Sequence, residues 1–202
     1  MYLIKIPKWQ RWLFPGAIFS SRESNFVYLT FDDGPNEGIT EEVLDILANY
    51  NAKATFFCLG KNAEQSPELL KKIREHGHSI GNHGYEHLNG WKSIDKKYLE
   101  NVERGKIILQ SNLFRPPYGK ISFTQFLKLR KENKIIFWDL MPGDFDGAIS
   151  KEACLENVVK NIKEGSIVVL HDSEKAADKL KYILPRILEY LKKKNLETAV
   201  LA

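Results

Sequence analysis

The chain has 202 residues, of which 43% are hydrophobic and 28% charged, and 30 basic against 26 acidic residues leave a formal net charge of +4. This balance excludes disordered, collagen-like and coiled-coil chains and predicts one domain, or at most two small ones, with a core that needs no staples. The positive excess is too small and too scattered for a nucleic-acid footprint, so no nucleic-acid partner is expected.

The N-terminus, MYLIKIPKWQRWLFPGAIF, is aromatic and basic, but Pro7, Pro15 and Gly16 interrupt its apolar stretches. It lacks the unbroken apolar core of roughly 7–15 residues that a secretory signal needs. No run approaches the ~18 apolar residues of a membrane span. The expectation is a protein in the cytoplasm or peripheral at the inner face of the membrane, unless the sequence begins after processing. Trp9, Trp12 and Phe14 with Lys8 and Arg11 could touch a membrane surface, but a terminal plug packed on the domain is the favoured reading. Residues 1–25 are set apart as this segment, and 26–202 as the domain proper.

Phe26 to Phe31 is β-rich and ends at Asp32-Asp33-Gly34-Pro35, a turn signal. Thr40-Glu41-Glu42 opens an amphipathic helix. Ala54 to Leu59 is a buried strand, with Cys58 a small inert core residue; a disulfide to Cys154 is possible but not indicated. Ser66-Pro67 starts a helix that runs to Gly77, and Ser79-Ile80-Gly81 is a short strand. Ile94 to Ser111 is helical; Leu113-Phe114-Arg115 is extended because prolines follow it. Ser122 to Lys131 is a helix, Ile135 to Trp138 a strand, Lys151 to Lys163 a helix and Ile167 to Leu170 a strand. Lys175 to Lys194 is a helix that Pro185 should kink or break, and Glu197 to Leu201 is a last strand. Alternating elements with continuous apolar strands mean an α/β fold with a parallel sheet covered by helices. The number of units fits a compact, distorted (β/α)7-type barrel, with parallel strands inside helices, better than an eight-fold barrel of ~250 residues.

The unusual polar residues fall just after predicted strands. Asp32-Asp33, His83 with His87, Arg115, Asp144 and His171-Asp172 each follow one. In parallel α/β folds the strands' carboxyl ends carry the active site, so these clusters should converge. His83 and His87, at i and i+4 on a helical turn, would share a face as metal ligands do, and a carboxylate from Asp32 or Asp33 would complete a site with open positions. Adjacent side chains on an extended segment point oppositely, so one aspartate can bind metal while the other stays free as a base. Arg115 can hold a carboxylate in place. His171, after four apolar residues, is a candidate general acid that Asp144 or Asp172 could orient. Taken singly, each cluster has a bland reading: a plain turn, solvated or core histidines, a surface arginine, a histidine capping a strand. Jointly those readings are improbable. His83-x-x-Glu86-His87 also fits an inverted zinc-peptidase pattern, but Gly81, Gly84 and Gly90 speak against the continuous helix it needs. An iron oxygenase site has no further support here.

Thr30-Phe31-Asp32-Asp33-Gly34-Pro35, His83-x-x-x-His87, Arg115-Pro116-Pro117-Tyr118, Asp144-Phe145 and Leu170-His171-Asp172 occur in that order. From Phe26 to the C-terminus the chain resembles the polysaccharide deacetylases (NodB-homology domain, carbohydrate esterase family 4), whose fold is a distorted βα barrel. The resemblance implies that Asp33, His83 and His87 bind a divalent metal, usually Zn2+, with other divalent ions accepted in relatives. It makes Asp32 the base that deprotonates metal-bound water, Arg115 the residue positioning Asp32, and His171 the acid that protonates the leaving amine, tuned by Asp144. Tyr118 would offer its backbone N–H to the oxyanion. Phe145 and Val169 would line the acetyl pocket, with Pro117 beside them at the substrate. The expected partner is an acetylated glycan or oligosaccharide, and the expected reaction removes acetyl groups from N-acetylated amino sugars. An O-acetyl esterase or a catalytically silent glycan-binding module are the alternatives. The chain departs from the usual family pattern at Met141, Phe145 and Gly84.

Overall fold

The computed structural model describes residues 4–21 and 25–202. After a short helix α1 (Lys8–Leu13), strands and helices alternate, with two helices in succession between the second and third strands. They are β1 (Phe26–Asp32), α2 (Ile39–Asn49), β2 (Ala54–Cys58), α3 (Gly60–Gln65), α4 (Pro67–Glu75), β3 (Ser79–Asn82), α5 (Asp95–Leu109), β4 (Leu113–Phe114), α6 (Phe123–Leu129), β5 (Lys134–Ile135), α7 (Lys151–Val159), β6 (Ile167–His171), α8 (Ala177–Lys193) and β7 (Glu197–Thr198). The strands form one 7-stranded sheet in the order β5-β4-β3-β2-β1-β6, with β7 pairing β1. Every ladder is parallel. This is the curled parallel sheet inside helices that the alternation predicted.

Register places the chemistry. Asp32 pairs with Phe57 on one side and His171 on the other, so the base candidate and the acid candidate end adjacent strands. Cys58 pairs with Asn82, which sets His83 one residue beyond β3. All candidate residues therefore leave the sheet at its carboxyl edge.

One apolar cluster lies between the sheet and α2, α4 and α8, including Leu29, Phe31, Leu44, Phe56, Ile73, Ile183 and Ile187. A second contains Phe57, Phe114, Phe126, Phe137, Trp138 and Val169. Helix α8 runs through Pro185 without a break. Its buried residues Leu180, Ile183, Leu184, Ile187, Leu188 and Leu191 hold it against the sheet, which offsets the hydrogen bond that proline removes.

Two strands are shorter than their sequence suggests. Only Lys134–Ile135 of the β5 region pairs with β4; from Ile136 onward the chain swings across to β6, meeting it at Leu140↔Val168. The N-terminal segment fills that gap. Ile18 bridges Ile136, Ser20 bridges Ser166, and Lys5 bridges Leu140. Phe14 packs on Phe126 and Phe137 at 5.1 and 5.3 Å between centroids, and Phe19 stacks on Phe137 at 4.8 Å. This part of the segment is a plug, although Trp12 remains 84% exposed. The side chains of Lys8 and Trp9 lie outside those described. At the other end only Glu197–Thr198 of the last strand joins the sheet. Among the described residues no helix is long and apolar enough to cross a membrane. Cys58 and Cys154 are free and buried, and burial pushes both thiols up, Cys154 to about 12.

Candidate active site

At the carboxyl edge a cleft of about 550 Å³ is lined by Asp32, Asp33, His83, His87, Tyr118, Phe145, Val169 and His171, among others. Its size suits a small-molecule or sugar site. A larger groove of about 740 Å³ lies at the opposite edge, where α2 and α8 end, and contains none of these residues.

Asp33, His83 and His87 present ligand atoms all within 4.8 Å of one another. The route to this cluster differs from the expected one. Residues 83–89 form an irregular bend, not a helical turn, and Gly84 and His87 stand at φ 83 and 54. The bend brings the imidazoles to 4.9 Å between centroids. Asp32 and Asp33 do not diverge as on an ideal strand either. Asp33 has φ 82, which takes it out of the pleat, and both carboxylates approach His83 Nε2, at 3.8 and 3.9 Å. His87 Nε2 is 3.2 Å from Asp33 Oδ1.

The donor chemistry fits a divalent cation. His83 Nδ1 lies 2.8 Å from the Arg115 carbonyl, which can only accept, so Nδ1 carries the proton and Nε2 presents a lone pair. Burial, then the neighbouring His87, pushes His83 well below the usual histidine range; burial also lowers His87. Both rings are therefore neutral at pH 7. Asp33 Oδ1 is buried with no hydrogen-bond partner among the described residues, an arrangement a cation would satisfy.

Asp32 is held differently. Arg115 Nη1 donates to Asp32 Oδ1 at 2.6 Å and to Thr30 Oγ1 at 2.7 Å, and Nη2 donates to the Phe137 carbonyl. The guanidinium lies 4.0 Å from the Phe57 ring centroid. These contacts turn one carboxylate oxygen of Asp32 away and leave Oδ2 toward the histidines.

His171 is held by Asp144. Its Nδ1 lies 2.9 Å from Asp144 Oδ1, and its backbone N–H donates to Oδ2. Burial alone would suppress the imidazolium; the Asp144 charge and hydrogen bond, with Asp32 and Asp33 beyond, outweigh it and raise His171 to about 9. Asp172, the other candidate orienter, turns away to Thr40. Phe145 sets its edge against His171 at 4.9 Å.

Tyr118 stands at φ 59, 60% exposed, with its ring edge-on to His87 at 4.5 Å. Of the two prolines before it, Pro116 lines the cleft, whereas Pro117 is buried in the following turn and does not reach it. Leu59, Lys120, Trp138, Met141, Ser173 and Lys175 also line the cleft. Apart from Met141, already marked as a departure from the family pattern, sequence reasoning gave these residues no role at the cleft. Trp138 followed an apolar run and read as core, and the lysines carried no pattern.

A family model described as polysaccharide deacetylase matches residues 20–134. The chain belongs to the polysaccharide deacetylase family. It is 36% identical over 177 residues to a peptidoglycan-N-acetylglucosamine deacetylase of Bacillus cereus, covering 84% of this chain and 83% of that protein. To a chitooligosaccharide deacetylase of Azorhizobium caulinodans it is 32% identical over 163 residues, covering 75% and 76%. The crystal structure of a peptidoglycan N-acetylglucosamine deacetylase in complex with 4-naphthalen-1-yl-N-oxidanyl-benzamide aligns with a TM-score of 0.86 and 33% identity, covering 92% and 90%. In this deacetylase family member the curled sheet, the cleft and its polar lining coincide at one edge.

Proposed function

We propose that the protein hydrolyses the acetamide of N-acetylated amino-sugar residues in a glycan, using a divalent cation held by Asp33, His83 and His87. One observation carries the reading: a carboxylate ending β1 and an imidazolium ending β6 flank the same cleft as the cation donors. The peptidoglycan and chitooligosaccharide deacetylases among its relatives support it.

An amide is a poor electrophile with a poor leaving group. A bound divalent cation, zinc in the simplest reading, would polarise the carbonyl and lower the pKa of water at the site. The rest falls to side chains. Asp32, fixed by Arg115, accepts the proton of the attacking water through Oδ2. The backbone N–H of Tyr118 donates to the oxyanion, a contact worth about 3–4 kcal/mol. His171, kept charged by Asp144, delivers a proton to the amine nitrogen so that the C–N bond can break. Phe145 and Val169 close around the acetyl methyl. In the sheet order β3-β2-β1-β6, Asp32 lies between the strands that carry His83 and His171, so the base sits between the cation donors and the acid, and two separate side chains serve the two proton transfers.

The test is acetate release from N-acetylglucosamine oligomers and peptidoglycan fragments, before and after chelation. Release that chelator abolishes and Zn2+ restores is expected. Release that persists in metal-free protein would overturn the mechanism.

A further inference from the structure

Asp33 supplies a ligand atom from a left-handed backbone conformation, φ 82, that a residue with a side chain adopts only at a cost. Its main-chain carbonyl receives two amide donors. Asn62 Nδ2 reaches it at 2.9 Å from α3, and Asn36 Nδ2 at 3.3 Å from the turn before α2. Asn36 is itself held. Its amide also donates to the Asp172 carbonyl at 2.7 Å, and its backbone N–H donates to Thr40 Oγ1 at 2.8 Å. The Thr40 hydroxyl in turn donates to Asp172 Oδ2 at 2.5 Å. Asp172 N–H donates to the Asp32 carbonyl, and Leu59 N–H to that of Gly34. A Cβ at Gly34 would collide with the Asp172 carboxylate, so the turn is packed as well as bonded.

None of Asn36, Asn62, Thr40 or Asp172 lines the cleft. Helix α3 buries only Gly60 and Ala63, so it adds little to the core; its specific contribution here is Asn62. We propose that Asn62 and Asn36, backed by Thr40 and Asp172, are positioning residues that set the cation affinity of the Asp33–His83–His87 cluster by clamping the Asp33 carbonyl. The inference rests on the cation reading above. The clamp acts through the backbone: losing a donor frees Asp33 to relax toward negative φ, which carries its Oδ1 away from the histidines. Residues that orient metal ligands typically change metal affinity or activity about 10- to 100-fold when removed, and the clamp on the backbone of Asp33 is expected to act at the lower end of that range.

The experiment is Zn2+ titration of wild type, Asn62→Ala, Asn36→Ala and the double variant against a competing chromophoric chelator, with acetate release followed across the same Zn2+ range. Each single variant should bind Zn2+ about tenfold more weakly, and the half-saturating Zn2+ for turnover should rise by the same factor. Asn62→Asp, nearly isosteric but with an acceptor facing the carbonyl, gives the same reading should an alanine variant fail to fold. Zn2+ affinity within twofold of wild type in the single and double variants overturns the clamp, as does turnover lost at unchanged affinity. Wild type that binds no divalent cation at all would fail the underlying reading, and the clamp with it.

Discussion

Arg115 donates to Asp32 Oδ1 at 2.6 Å, and the two side chains are 0% and 4% exposed. Each ion makes the other tolerable: alone, either would be a buried unpaired charge. Arg115→Met should therefore cost about 3–5 kcal/mol of unfolding free energy and most of the turnover. Adding Asp32→Asn on that background should return much of the stability without returning activity. Urea denaturation with parallel acetate assays checks both. A stable, active Arg115→Met would show that Asp32 does not depend on its partner.

The two aspartates should separate cleanly. Asp33→Ala should lose the cation by elemental analysis. Asp32→Asn should keep it and lose turnover by on the order of a hundred- to ten-thousandfold, as expected for a removed general base. Equal cation loss in both variants would mean the roles are misassigned.

His171 provides a pH test. Asp144 raises it to about 9, so the acid form persists through neutral pH and turnover should fall as pH rises through about 9. In Asp144→Asn the nearest charge and its hydrogen bond are gone, and burial is opposed only by the more distant Asp32 and Asp33, which shifts the balance toward the neutral ring. The basic limb of the kcat profile should then move to lower pH. An unmoved limb would show that another group is the acid.

His78 contributes to the pH dependence of stability away from the cleft. Its Nδ1 accepts the Ala54 N–H, and burial, helped by Lys53 and His76, lowers it from 6.5 to about 4. The folded state thus resists protonation more than the unfolded chain does. The resulting stability is present above pH 6.5 and lost as pH falls toward 4, on the order of 3 kcal/mol in all. His78→Gln, which keeps an acceptor for Ala54, should flatten that part of the pH–stability curve. A curve as steep as wild type would assign the loss to other groups.

The element order was legible because it rests on local pattern. Apolar runs such as Ile167 to Leu170, the Ser122 cap with Gln125 reaching back, and Ser66-Pro67 at a helix start act within a few residues. Helix α3 was not legible, because Gly60–Gln65 has no apolar periodicity and serves polar contacts. Pro185 was read as a kink or break because its local penalty is visible and the long-range packing that outweighs it is not.

The sequence by itself determined the inventory: two acids after one strand, two histidines after another, and an arginine and a further histidine after two more. It also determined that parallel strands would gather them, since strand alternation and handed connections leave little choice. Tertiary structure decided how they meet. Asp33, His87 and Tyr118 all stand at positive φ, a state that no propensity of aspartate, histidine or tyrosine demands. At Asp33 the contact with Asn62, 29 residues further along the chain, holds the carbonyl, and a rule based on strand or helix period cannot contain it. Closure of the sheet by Ile18 and Ser20 is of the same kind, because it brings together segments more than a hundred residues apart.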